Sequence, residues 1–514
     1  MRSTTELADE FWNQLKHDEP YFAVVAGDRP ASIPPVTERV LGDRASRAQR
    51  LLDELRQTGT AREDADLAAV LEAQLVQQVA EARDLWHLHL TAPYQSGILT
   101  LYAHQVIAPQ PETLRRRLTA EFGERLRSIA ALVREQRSRG ITLPAPAVPA
   151  GRATWQSMRD GLPAVLGSEA LTAAFDEVLT EIDESARVAG EAIGLAHRPG
   201  GEEVYRSLVH RQTTVRVDPE ELHRLGLEQC AELTERMREI RSRLGGPPGE
   251  AEARDWVRGQ AHLYVSTPDE VAALYRRHIA RVEPEIGSLF KTLPGAPHDV
   301  RRADPAVEPG MTFGYYQPPT PDDPVGLYRF NGSALAERSQ LTAAALILHE
   351  LLPGHHFHIA RQNENTSLHP LQRFSFDLTA FNEGWAEYAS GLGWETGAYA
   401  DDWDAYGRLS HERMTAQRLV VDTALNLGLW DAGRARAFMR ANTLEGEEQI
   451  TSEMLRYATD MPAQALAYRS GFLAFTEARA NSAGADPREV HEAMIGGGAV
   501  PMPRMLQRVA DATT

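Results

Sequence analysis

Apolar residues recur along this chain mostly at helical spacing. Leu114, Leu118, Phe122, Leu126, Ile129 and Leu132 fall three or four apart and mark one helix face, introduced by Pro111 and Glu112. Thr267, Pro268 and Glu270 form a capping-box pattern: a threonine cap, a proline in the first helical position and a glutamate at the third. Asp218, Pro219 and Glu221 repeat the device. GGPPG at 245–249 separates two helices. LPAPAVPAGR at 143–152 reads as a proline-rich connection. TAAALIL, 342–348, is small and apolar throughout and predicts a buried helix. Strict alternation is rare. Its best case is GLYRFNG, 326–332, where Tyr328 and Phe330 alternate with Arg329 after the turn-rich QPPTPDDP at 317–324. NSAGA at 481–485 and the final DATT read as loop and tail. The pattern predicts a mainly α protein. A helical lobe over 1–145 is joined to a helical region over 146–514 that carries the candidate chemistry, the two intertwined as one unit.

Composition narrows this picture only slightly. With 514 residues, 42% hydrophobic and 25% charged, the chain is ordinary globular material. A net charge of −18 disfavours broad nucleic-acid binding and docking on an anionic membrane surface. Cys230 is the single cysteine, so neither an intrachain disulfide nor a cysteine-based zinc site can form. The first residues carry no basic stretch followed by an apolar one, and no apolar run is long enough to span a bilayer. These features together lead us to expect a cytoplasmic protein.

The chemistry concentrates at HELLPGHH, 349–356. His349, His355, His356 and His358, four of 17 histidines, lie within ten residues. An H-E-x-x-H helix grips one ion because histidines four apart share a face. Here Pro353 stands where the second histidine would. In a straight helix His355 points well away from His349. His356 regains that face only roughly 10 Å further along, too far for both to hold one ion at about 2.1 Å. The Pro353 ring clashes with the carbonyl four residues back, and Gly354 frees the backbone. A bulge or break there can rotate one histidine back. His355 is the preferred ligand because it follows Gly354 directly, with His356 as the alternative. A third ligand is expected from FNEGWAEYAS, 381–390, where Glu383 and Glu387 are four apart and share a helix face. Two nitrogens, one oxygen and an open position suit zinc.

The order of four motifs resembles the DUF885 family, taken as gluzincin-type zinc metallopeptidase relatives in the angiotensin-converting-enzyme and carboxypeptidase clans. The motifs are HELLPGHH, EGWAEY at 383–388, RLVVDT at 418–423 and RYATDMPAQALAYRSG at 456–471. GEEVYRSLVHRQTTVRVDPEELHRLGL at 201–227 extends the likeness upstream. The resemblance implies a large two-lobed metallopeptidase-like fold with a deep central cleft and a small β-sheet or edge strand next to the metal helix. It implies His349, one of His355 and His356, and Glu383 as ligands of one zinc ion, other divalent metals remaining open, and Glu350 as general base. The histidine left off the metal, His356, or Tyr468 would stabilise the oxyanion. Arg456 and Tyr457 would line the cleft and bind a substrate carboxylate, with an internal salt bridge as the alternative for Arg456.

GLYRFNG is expected to pair with an extended substrate as an edge strand. The expected activity is hydrolysis of an amide bond in a short peptide or small amide. Non-peptide chemistry at the same site and a metal-free binding protein are the competing readings. Three departures from the family pattern bear on the choice: Glu387 where an apolar residue is usual, Ser390 where a glutamate is common, and Asn426 where a histidine is usual. They put the usual substrate contacts in doubt.

Overall fold

The computed structural model describes residues 2–59, 61–87, 89–305, 308, 314–320, 323–374 and 377–513. Helices make up 70% of it, alongside a three-stranded sheet. The mainly α expectation therefore holds. The helix Glu112–Ser138 buries Leu118, Phe122, Leu126, Ile129 and Leu132, while Leu114 is only partly covered. Thr267 closes a full capping box with Glu270 at the start of Pro268–Val282. Asp218 caps Pro219–Arg243 more simply, its side chain accepting the Glu220 amide. GGPPG falls between that helix and Glu250–Arg258.

Three local expectations are corrected. LPAPAVPAGR is not an open linker: its first residues close a short 3₁₀ turn, Ala145–Ala147, and the helix Val148–Leu166 starts with Pro149 in its first turn. Proline is tolerated there because the first helical amides have no partner to lose. The final DATT is not a tail, since the helix Met502–Thr513 runs into it and buries Met502, Met505 and Val509. GLYRFNG does form a strand, but not an edge.

The sheet order is β1 (His298–Arg302), β3 (Gly326–Phe330), β2 (Gly314–Gln317). β3 pairs parallel with β1 and antiparallel with β2, so both of its backbone edges are spent and no substrate can add beside it. Tyr328 and Phe330 of β3 are buried, and Arg329 is half-buried.

One apolar cluster joins the N-terminal helices to the site. It runs from Leu7 and Phe11 through Leu71, Val300 and Tyr328 to Ile347, Trp385 and Val509. The TAAALIL run sits inside it as the helix Ala343–Glu350, every residue of which is buried. That helix stops at Glu350. A turn follows, and a second helix, His355–Glu364, begins at the first of the paired histidines. Trp385 fixes the turn by donating its indole N–H to the Pro353 carbonyl at 3.0 Å.

Gly354 is dictated by space, because a Cβ there would lie 1.8 Å from the His349 carbonyl oxygen. A Gly354→Ala variant is expected to lose about 2 kcal/mol or more of stability, which denaturant titration reads. An unchanged midpoint would mean that the backbone does not pass this close.

Candidate metal centre

Five helices meet at the site. Ala343–Glu350 supplies His349 and Glu350, and His355–Glu364 supplies His355. Thr379–Gly391 supplies Glu383 and, one turn later on the same face, Glu387. Asp402–Asn426 brings Arg408, His411 and Arg418, and Leu466–Asn481 brings Tyr468. The last of these can approach Thr379–Gly391 because glycines face each other: a Cβ on Gly384 would lie 2.4 Å from the Gly471 Cα.

The break brings together residues that a straight helix would separate. The His349 and His355 rings are 4.7 Å apart, nearly perpendicular at 86°. Glu383 Oε2 lies 3.5 Å from His349 Nε2 and 3.3 Å from His355 Nε2. Ligands about 2.1 Å from a tetrahedral ion stand about 3.4 Å from one another, so these spacings fit one ion. Glu383 Oε2 is buried with no hydrogen-bond partner, as is Nδ1 of His355. A buried carboxylate oxygen flanked by two imidazole nitrogens yet hydrogen-bonded to neither is arranged as a ligand.

His349 also belongs to a second convergent group, with Glu387 and His411. Its Nδ1 lies 3.1 Å from Glu387 Oε1, and His411 Nε2 lies 2.7 Å from the same oxygen. The shorter of these is a hydrogen-bond length, not a ligand spacing. Arg408, fully buried, donates to the other Glu387 oxygen at 3.1 Å and so already supplies a positive charge. This group therefore supports the His349 imidazole.

Burial and charge compete across the group. Burial opposes a charge on His349, but Glu383 and Glu387 outweigh it and push its pKa up to about 10. Burial alone would raise Glu383, yet His355 and His349 hold it well below the usual range. Glu387 is likewise held low, by His411 and His349. Burial raises Glu350, only partly offset by the two imidazoles. An ion on His349 must displace its proton. Zinc affinity is therefore expected to rise between pH 7 and pH 9, by up to about tenfold per pH unit, with one proton released per ion. Chelator competition across that range measures it, and a flat profile would remove His349 from the ligand set.

His349, alone of the trio, lines a cleft of about 980 Å³, together with Glu350, Glu387, His411, Arg418 and Tyr468, among others. The structure brings Glu350, Tyr468 and Arg456 to this cleft. The Tyr468 ring lies 6.3 Å from that of His349 and nearly parallel to it, with the Arg418 guanidinium 4.6 Å above it. Arg456 donates to Gln464 at 2.5 Å and reaches Glu453 only at 3.5 Å, while its buried Nε has no partner.

His356 is the correction. Its Nδ1 is 3.1 Å from the Tyr316 hydroxyl and its Nε2 is 3.1 Å from the Ala296 carbonyl, so both nitrogens are spent against the sheet side. Successive helical residues point about 100° apart, so with His355 beside Glu383 the His356 ring turns away from that group. Tyr457 does not line the cleft either. It is fully buried, and its hydroxyl bonds Glu453 and Arg418.

Two of the three family departures, Ser390 and Asn426, are structural. Ser390 donates to the Ala345 carbonyl at 2.9 Å and accepts from Arg408 at 3.2 Å. Asn426 bonds the Asp422 and Tyr457 carbonyls and the Leu195 amide. Both are fully buried and away from the cleft lining. Glu387 was visible from its spacing to Glu383, but its role was not. His411 and Arg408 carried no local signal, being two polar residues among many on a long helix.

A helical frame that gathers two imidazoles and a carboxylate beside a cleft defines a candidate metal-binding protein. The chain belongs to the DUF885 family, described as a bacterial protein of unknown function, whose model matches residues 20–509. Two solved structures share the fold. One, a "putative lipoprotein from Colwellia psychrerythraea", is 19% identical with a TM-score of 0.87, covering 100% of both chains. The other, a "putative lipoprotein of unknown function from Shewanella oneidensis", is 16% identical with a TM-score of 0.75, covering 99% of each chain. No curated protein matches significantly. The lipoprotein descriptions overturn the expectation of a cytoplasmic protein. The inference from one cysteine was too strong: Cys230 is buried and unpaired, and a lone buried thiol suits any compartment.

Proposed function

We propose that the protein is a zinc-dependent hydrolase that cleaves an amide bond in a short peptide or small amide, as the resemblance to gluzincin-type metallopeptidases suggests. The observation that carries this reading is Glu383 Oε2, buried without a hydrogen bond 3.5 and 3.3 Å from the Nε2 atoms of His349 and His355, of which His349 lines a roomy cleft. Zinc held by His349, His355 and Glu383 would polarise the carbonyl and lower the pKa of water to near 7.

The remaining steps fall to the chain. Glu350 follows a ligand directly, lines the cleft, and is biased by burial towards holding a proton. It takes a proton from the attacking water and passes it to the leaving amine. Tyr468 lies beside His349, where a phenol can donate to the carbonyl oxygen as it becomes negative. Arg456, with an unsatisfied Nε at the cleft wall, binds a substrate carboxylate. The burial of Ser390 and Asn426 removes the reason for preferring non-peptide chemistry.

The deciding experiment is a screen of dipeptides and N-acyl amino acids against the zinc-loaded protein. Cleavage of a substrate with a free carboxylate supports the reading. A fully loaded protein that cleaves none of them sinks it.

A further inference from the structure

We propose that His411 is the imidazole that touches the substrate at the reacting amide, the contact that His356 cannot make. This rests on the hydrolase reading above and assigns it one more catalytic residue.

Three observations carry it. First, His411 and Glu387 both line the cleft, on the same side as His349 and Glu350. Second, His411 is held from behind. Its Nε2 is 2.7 Å from Glu387 Oε1, and the other Glu387 oxygen accepts from Arg408 at 3.1 Å. Arg408 is locked in turn by Ser390 at 3.2 Å and by the Glu387 carbonyl at 3.3 Å. An ionised Glu387 can only accept, so the hydrogen between the two belongs to His411 Nε2. Third, Nδ1 of His411 has no hydrogen-bond partner among the described residues and is not among the buried atoms left unsatisfied. It is therefore the atom offered to the cleft.

A carboxylate that fixes the orientation and tautomer of an imidazole, leaving the other nitrogen free to share or gain a proton as charge develops, is the general logic of carboxylate–histidine catalysis. The His411 ring lies 5.8 Å from the His349 ring. Glu350, Tyr468 and His411 line the same cleft as His349, so a substrate amide held there would meet all three. Glu387 thus faces two imidazoles with one oxygen: it bonds His411 Nε2 at 2.7 Å and stands 3.1 Å from Nδ1 of His349, to which it is not hydrogen-bonded.

The test uses the full chain as wild type, His411→Ala and His411→Gln. Zinc affinity is measured first, by chelator competition, and is expected to stay within about threefold of wild type, because His411 is not a ligand. On the substrate found by the screen, kcat is expected to fall about 10²-fold or more with KM changed less than about threefold. Added imidazole should restore part of the His411→Ala rate, which a purely structural role would not allow. A kcat within threefold of wild type, or zinc affinity lost together with activity, overturns the inference.

A zinc-loaded wild type that cleaves nothing sinks the hydrolase reading, and His411 is then judged by calorimetry with a phosphinic dipeptide analogue. At least tenfold weaker binding to His411→Ala supports the contact. Equal binding, or none to wild type, overturns it.

Discussion

A Glu350→Gln variant binds zinc as tightly as wild type and turns substrate over at least about 10³-fold more slowly, within the range that loss of a general base costs. The expectation comes from where Glu350 sits. It ends the helix that carries His349, lines the cleft, and stands outside the convergent His349–His355–Glu383 group. Among the described residues no hydrogen bond engages its carboxylate, so glutamine keeps the shape and leaves no partner unsatisfied. Burial already biases this carboxyl towards its neutral form, so the substitution costs little stability. What it removes is the capacity to take a proton. Chelator competition reads the first half of the expectation, and turnover of the screened substrate the second. Retention of a tenth of the wild-type rate would strip Glu350 of its role.

Glu383→Gln has the opposite signature: zinc affinity falls by more than about 10³-fold and activity goes with it, while the helical content is unchanged. Among the described residues Glu383 is the only carboxylate flanked by both imidazole nitrogens, at 3.5 and 3.3 Å, and its negative charge is part of what holds His349 at a pKa of about 10. An amide oxygen ligates weakly and carries no charge. Glu387→Gln is the informative companion. Glu387 faces the other nitrogen of His349 and is neutralised by Arg408, so its loss should cost only about 10–100-fold in affinity, as for partners that orient a ligand. If the two variants lose zinc equally, the separation into ligand and support is wrong.

Helix Glu112–Ser138, the cap at Thr267 and the buried run before His349 were all legible in the chain. Each depends on a period or a cap that neighbours in sequence define. The disruption at Pro353–Gly354 was legible for the same reason, since a proline ring and a missing Cβ act within one turn. The two faults of local reading, the proline-rich stretch at 143–152 and the final DATT, came from treating composition as structure where helical packing decided instead.

Tertiary structure alone decided which of His355 and His356 stands beside Glu383. They are adjacent, chemically identical and about 100° apart on a helix. Which one meets Glu383 depends on how His355–Glu364 is docked, with Trp385 holding Pro353 on one side and the sheet taking His356 on the other. The same holds for β3, whose alternation marked a strand but not its place in the middle of a sheet. It holds too for His411, which meets Glu387 only because Asp402–Asn426 packs against Thr379–Gly391. Periodicity along a chain states which face is apolar. Where a buried polar side chain points depends on the groups opposite that must satisfy it, and those come from other segments.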